Sequence, residues 1–349
     1  MTRDAEPHEK AVDLFAYFAA LSEVSERFVA SEALQLIRGA AEAGVLGAFS
    51  QATTVAMAAK DLNRDESHLT DLCAALRSHG VLMSDDGVHF TLHSAWAMLV
   101  RPGGHQPLEV LMELSGTRGR MLRSIARGEH SGWAGDTRER FNYAIAVSPD
   151  PWSPATVAAF SASMQTNPEV VALLNSGARY LELGCGVAGN MCTLLQAFPN
   201  VRAVGVEMAS DLADEAQRRA HALGIADRLD IVCADATTFS RPNSFDIVFW
   251  SQMFFPAASR RAALAVSLQS LRPGGLIWSP AFDQTAVHKE PLSKTACDLV
   301  LDRVIHGSWG VPHREPEELR AELEDAGFVG AYVLDRPGSK VVLGHRPVD

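Results

Sequence analysis

Apolar positions recur at helical spacing near the start of the chain: Leu14, Phe18 and Leu21, then Leu34, Ile37 and Ala41. Residues 11 to about 49 are therefore expected to be helical. Thr54 to Leu62 predicts a further helix and Asp65 to His79 another. Gly80 to Thr91 follows as a hairpin around Asp86-Gly87, a strong turn signal. Helix, helix, hairpin is the order of a winged helix. Residues 94 to 174 stay helical but are broken at Arg101-Pro-Gly-Gly104, Gly128-Glu-His-Ser-Gly132 and Ser148-Pro-Asp-Pro-Trp-Ser-Pro154. From residue 178 strand and helix alternate, with strands near 179–184, 202–207, 229–233, 245–250 and 275–280. Met191, Leu194, Leu195 and Phe198 form the buried stripe of the first intervening helix. After a helix from Pro316 to Ala326, the runs Phe328 to Leu334 and Lys340 to Leu343 read as a closing antiparallel hairpin.

The first of these strands runs into Tyr180-Leu-Glu-Leu-Gly-Cys-Gly-Val-Ala-Gly-Asn190. Glycines at 184, 186 and 189 let the backbone bend sharply and a ligand approach closely. The helix that follows offers its N-terminal N–H groups. The spacing also satisfies the dinucleotide fingerprint G-x-G-x-x-G. Three carboxylates separate the readings. Glu182 would repel a pyrophosphate but could bind the ammonium of S-adenosylmethionine. Glu207 ends the next strand, placed for two ribose hydroxyls, and Asp235 follows the third strand, placed for an adenine amino group. Nicotinamide dinucleotide enzymes share the ribose carboxylate and need neither of the others.

Composition narrows the partners. The 349 residues carry a net charge of −11 and no basic stripe, which disfavours nucleic acid. A 47% hydrophobic content supports a sizeable core, and no apolar run reaches the roughly 20 residues that span a bilayer. The start, Met1 to Lys10, is charged and lacks the apolar region of a signal peptide. Cys73, Cys185, Cys192, Cys233 and Cys297 are scattered without paired spacing, so neither disulfides nor a zinc site is indicated. A soluble, cytoplasmic protein acting on a small molecule, with no metal and no membrane partner, is the expectation.

At Glu182-Leu-Gly-Cys-Gly186, Glu207, Asp235 and Leu271-Arg-Pro-Gly-Gly275 the chain resembles the class I S-adenosylmethionine-dependent methyltransferases, from about residue 175 to the end. With the N-terminal pattern included, it is similar over nearly its full length to small-molecule O-methyltransferases of bacteria and plants. The resemblance implies an α/β fold with a Rossmann-like seven-stranded core and C-terminal antiparallel hairpin. It implies a winged-helix dimerisation domain at 1–100, a helical linker roofing the active site at 101–174, and the cofactor domain at 175–349. Glu182, Gly184, Gly186, Glu207, Met208, Asp235, Ala236 and Ser251 would hold S-adenosylmethionine. Phe160, Met164, Met253, Phe254, Phe282 and Trp309 would line the acceptor site, and two protomers would interlock through the N-terminal helices.

The catalytic residues are less plain. The family places a general-base histidine after the fourth strand, where this chain has Phe249-Trp-Ser-Gln-Met-Phe-Phe-Pro256. Gln252 or Met253 stands at that position, and neither accepts a proton. Carbon methylation, for example at C3 of an indole, is therefore slightly favoured over oxygen methylation of a phenol. His306, Tyr143 and Gln252 form the candidate catalytic set, with His130, Asp283 and His288 as further proton-handling groups. An S-adenosylmethionine-sensing, DNA-binding regulator and a nicotinamide-linked oxidoreductase are the alternatives from other classes.

Overall fold

Asp13 caps the first helix, α1 (Leu14–Glu42), accepting hydrogen bonds from the amides of Phe15 and Ala16. The description rests on a computed structural model covering residues 13–100, 108–129, 133, 137–336 and 339–348. The chain divides into two compact units, one up to Arg101 and one from Pro102 onward. The expected helical linker thus falls in the same unit as the sheet.

In the first unit α1 buries Ala33, Ile37 and Ala40, while Leu14, Phe15, Tyr17, Phe18, Leu21, Val24, Phe28 and Val29 are exposed, Phe15 by 90%. The short helix α2 (Val45–Ala48) leads to a two-residue strand, β1 (Thr53–Thr54). Helix α3 (Val55–Leu62) is capped by Thr54 and α4 (Glu66–Ser78) by Asp65, whose carboxylate accepts from the His68 amide at 2.9 Å. Strands β2 (Leu82–Met83) and β3 (His89–Leu92) pair antiparallel. Gly87 takes a positive φ of 73° in the turn between them. β1 pairs with the other side of β3, giving a three-stranded sheet, before α5 (Ser94–Val100).

The second unit begins, among the described residues, with α6 (Leu108–Ala126), α7 (Thr137–Val147), α8 (Pro154–Met164) and α9 (Pro168–Asn175). Ser153 and Asn167 cap α8 and α9, each of which has proline in its first turn. Five parallel strands follow: β4 (Arg179–Leu183), β5 (Arg202–Glu207), β6 (Leu229–Cys233), β7 (Phe245–Trp250) and β8 (Leu271–Ala281). Helices α10 (Gly189–Ala197), α11 (Ser210–Ala222) and α12 (Ala257–Ser270) lie on the connections after β4, β5 and β7. Beyond β8 come α13 (Thr285–Lys289), α14 (Lys294–Ser308) and α15 (Pro316–Asp325), then β9 (Val329–Arg336) and β10 (Ser339–His345).

The sheet order is β6-β5-β4-β7-β8-β10-β9, with β10 antiparallel to both its neighbours. This is the seven-stranded methyltransferase architecture with its C-terminal hairpin. The fifth parallel strand starts earlier than the glycine turn suggested. The Gly274 amide donates to the Arg346 carbonyl, and the Arg346 amide donates to the Gly275 carbonyl. The Arg272-Pro-Gly-Gly275 stretch is thus held as an irregular first part of β8, opposite a register shift in β7. Two layers of apolar side chains cover the sheet. One gathers Tyr180, Met191, Leu194, Leu195 and Trp278; the other Leu181, Leu183, Val248, Trp250 and Ile277. Alternation along β4 puts Tyr180 and Glu182 on one face and Leu181 and Leu183 on the other.

Candidate functional site

β4, β7 and β8 are parallel, so the residues that follow them gather at one edge of the sheet. Ligands in open α/β sheets bind at this carboxyl-terminal edge. Leu183 pairs with Trp250 across β4 and β7, which sets Gly184 alongside Ser251. Gly184 has φ 73° and Gly186 φ 54°, and a Cβ on Gly184 would meet the Phe255 ring at 3.2 Å. The turn folds back onto β5. The amides of Gly184 and Cys185 both donate to the Val206 carbonyl, at 2.8 and 3.0 Å, and that of Gly186 donates to Glu207 Oε2 at 2.9 Å. Three amides of the bend are therefore consumed inside the protein, which removes them as donors for a pyrophosphate.

The third glycine has a packing reason. A Cβ on Gly189 would fall 1.8 Å from Ser148 Oγ and 2.5 Å from the Pro149 carbonyl oxygen. The segment before α8 crosses the start of α10 there, and Gln196 Nε2 ties it down by donating to the Pro151 carbonyl at 2.7 Å. The open helix N-terminus expected from the sequence is covered at this point by Ser148 and Pro149.

Glu182 and Glu207 are both buried, each 5% exposed. Glu182 Oε2 accepts from Asn190 Nδ2 at 3.3 Å, and no salt bridge to it is present among the described residues. Burial, only partly opposed by the hydrogen bond from Asn190, pushes its carboxyl up to about 8. Glu207 Oε1 accepts from the Ala209 amide at 2.9 Å, so both its oxygens are anchored by backbone N–H groups. Burial raises its pKa too, against those hydrogen bonds and the charge of Arg140. Next to it Met208 is 62% exposed. Asp235, just past β6, is exposed; its Oδ1 accepts from the Thr237 amide and hydroxyl, both at 2.8 Å. Ala236 and Ser251 are buried at the same edge. Arg140 was not among the expected cofactor residues: it sits on α7, donates to Asp211 at 2.6 Å, and keeps a buried Nε without a partner among the described residues.

Beside this edge lies an aromatic box of Trp133, Tyr143, Phe254, Phe282, His306 and Trp309, with Met253 packed against it. Phe254 belongs to the 3₁₀ turn after β7 (Gln252–Phe254), and Phe282 follows β8 directly. Trp309 is central, its ring centroid 4.8 Å from Trp133, 5.4 Å from Tyr143 and 5.2 Å from His306. Helix α7 serves both places: Phe141 packs against the cluster that includes Val187 of the glycine turn, and Tyr143 belongs to the box. Burial raises the Tyr143 hydroxyl, Asp302 adding to the effect. His306 is 5% exposed, and burial together with His313 lowers it to about 4. His313, lowered to about 4 mainly by burial, was not singled out by its sequence neighbourhood.

Other expectations fall elsewhere. Phe160 and Met164 pack in the sheet core near Trp278 rather than in the box, because α8 lies over the β8–β10 side. Gln252 is a buried strut. Its Nε2 donates to the Pro280 and Arg314 carbonyls at 3.1 and 3.2 Å, and its Oε1 accepts from Arg260 at 3.2 Å. Both polar atoms of its side chain are thus engaged within the protein. Asp283 is tied to Thr285 and Lys340, and exposed His288 to Glu315 at 2.7 Å. His130 lies outside the described residues.

Residues 181–275 match the family model described as Methyltransferase domain. A curated relative, an uncharacterized protein of Escherichia coli K12 named YjhP, is 29% identical over 119 residues. That match spans 34% of this chain and about half, 48%, of the relative. Among solved structures, an O-methyltransferase family protein of Burkholderia thailandensis superposes with a TM-score of 0.67 at 15% identity, over 95% of this chain and 98% of that one. Human N-acetylserotonin methyltransferase, solved with S-adenosylmethionine, gives 0.65 at 13% identity over 99% and 100%. The mitomycin 7-O-methyltransferase gives 0.63 at 18% over 95% and 99%. At these identities the structural likeness is one of fold. The match to a methyltransferase domain is confined to residues 181–275, inside the unit that holds the seven-stranded sheet.

Proposed function

We propose that the chain transfers the methyl group of S-adenosylmethionine to a small aromatic acceptor held in the box around Trp309. The carrying observation is Glu182, a buried carboxylate at the mouth of the glycine turn with no cationic side chain bonded to it among the described residues. A buried carboxylate of that kind is completed by a cation, and the methionine ammonium fits. Glu207 is held by two amides with lone pairs to spare for the ribose hydroxyls, Asp235 serves the adenine amino group, and exposed Met208 offers a thioether to the adenine face. Gly184, Gly186, Ala236 and Ser251 leave room at the sheet edge for the ligand.

When bound, the cofactor supplies a methyl group on a positively charged sulfur that is already activated for transfer. The protein's part is placement. Rings from Trp133, Tyr143, Phe254, Phe282 and Trp309 grip a flat acceptor by edge-to-face contact. Orientation alone lowers such a barrier by roughly 7–11 kcal/mol. With Gln252 locked as a strut, no base stands where a histidine would serve an oxygen acceptor. Carbon methylation, as at C3 of an indole, is the first reading. Oxygen methylation is the second, favoured by the neutral ring nitrogens of His306 and by the O-methyltransferases among the structural neighbours. Incubation with carbon-13 methyl-labelled S-adenosylmethionine and a panel of indoles, phenols and keto acids separates them. A new C-methyl resonance is expected in product NMR; an O-methyl resonance would replace the first reading with the second.

We also infer a homodimer. The apolar row from Leu14 to Val29 on α1 is uncovered by the described residues of its unit and suits a second copy of the same helix. Light scattering after size exclusion should give twice the 37.6 kDa chain mass, and Phe15→Glu with Phe28→Glu should halve it. A monomer at micromolar concentration sinks the inference.

A further inference from the structure

The box has a polar end made by two histidines, of which the methyl-transfer reading draws on His306 alone. His306, near the end of α14, and His313, beyond it, have ring centroids 5.9 Å apart at 66°. Both pack on Phe282, at 5.6 and 4.4 Å. His306 Nδ1 and His313 Nε2 are each buried without a hydrogen-bond partner among the described residues. Buried polar atoms in folded proteins are nearly always satisfied, so two orphans on neighbouring rings call for an explanation. Ordinary core packing supplies none, since phenylalanine would fill the same space without stranding a nitrogen. Burial keeps both rings neutral at physiological pH. A neutral imidazole carries one N–H and one lone pair.

We propose that His306 and His313 form a hydroxyl-reading site, and that the acceptor carries a ring hydroxyl which hydrogen-bonds to their two unpartnered nitrogens. A hydroxyl donates and accepts at once, an ether oxygen accepts only, and a hydrocarbon does neither. The inference rests on the box being the acceptor site. It goes further by fixing the acceptor's chemical class and by assigning His313 a part in specificity.

The test uses full-length protein saturated with S-adenosylhomocysteine and titrated with phenol, anisole and toluene. Readouts are the fluorescence of Trp133 and Trp309 and the side-chain nitrogen-15 shifts of the histidines. Phenol should bind about tenfold tighter than toluene or anisole, the worth of about one hydrogen bond. It should also move two histidine ring resonances, assigned through His306→Phe and His313→Phe. Either variant should erase the phenol preference while toluene still binds. Equal affinity for all three probes, or phenol binding with both rings silent, overturns the proposal. If His306→Phe fails to fold, the wild-type shifts and His313→Phe decide alone. Failure to bind S-adenosylhomocysteine would count against the methyltransferase reading; the phenol and toluene comparison on free protein would still judge the histidine pair.

Discussion

Glutamine in place of Glu182 should weaken S-adenosylmethionine binding by about thirtyfold to several thousandfold, the range for removing one partner of a buried charge pair at about 2–5 kcal/mol. It should also erase a pH dependence that the wild type shows. In the free protein burial holds the Glu182 proton up to about pH 8, against an ordinary value of 4.5. The folded state thus binds a proton that the unfolded chain releases, and stability contributed by this group falls as pH rises from about 4.5 to about 8. The incoming ammonium favours the ionised carboxylate, so binding expels that proton. Between pH 6 and 7, where an α-ammonium keeps its own proton, affinity should climb by nearly tenfold. Calorimetry at pH 7 in buffers of different ionisation heat should report about one proton released, and none for the Gln variant. Identical heats for wild type in all buffers would falsify the assignment of Glu182 to the ammonium.

The second large effect lies behind the acceptor box. Arg260 is 3% exposed on α12; its Nε donates to Glu322 Oε1 at 2.7 Å, with a second bond from Nη2 to Glu322 Oε2. The same guanidinium donates to the carbonyl and side chain of Gln252 and lies 4.8 Å over the Trp250 ring. Glu322→Ala leaves this cation buried and half unpaired, a loss of about 3–5 kcal/mol. For a unit of this size the melting temperature should fall by roughly 6–20 °C. Replacing both partners, Arg260→Met with Glu322→Leu, should recover a good part of the loss, since no charge is then stranded. Thermal unfolding decides: a single variant melting within 2 °C of wild type would show the ion pair to be idle. Because Gln252 begins the turn that carries Met253 and Phe254, the single variant should also loosen toluene binding in the box.

The cofactor end was legible because its chemistry is local. Glu182, Gly184 and Gly186 sit within a few residues of one another, and Glu207 and Asp235 follow strands whose apolar runs are plain. The sheet order follows from alternating strand and helix with a terminal hairpin. The acceptor end is assembled from α7, the turn after β7, Phe282 and α14, and no spacing rule joins these. Phe160 and Met164 show the difficulty: helical spacing marks a buried face but not which of two apolar clusters receives it. Gln252 read as a missing base, while its actual work, bracing Arg260 and two carbonyls, depends on residues as distant as Arg314. Gly189 looked like part of a phosphate fingerprint because the segment that needs its bare backbone, Ser148 and Pro149, precedes it by two helices and a strand. His313 stands alone in a loop, and only its ring contacts distinguish it.

One consequence concerns assembly on the ribosome. β10 is wedged between β8 and β9, yet it is the last of the three to be synthesised. When β9 emerges, its neighbour β10 does not yet exist, and the β8 flank still presents unpaired backbone. The sheet therefore cannot zip up vectorially from the amino end. Its final seam closes only when the hairpin swings in as a unit, leaving a temporarily sticky margin for chaperones to guard.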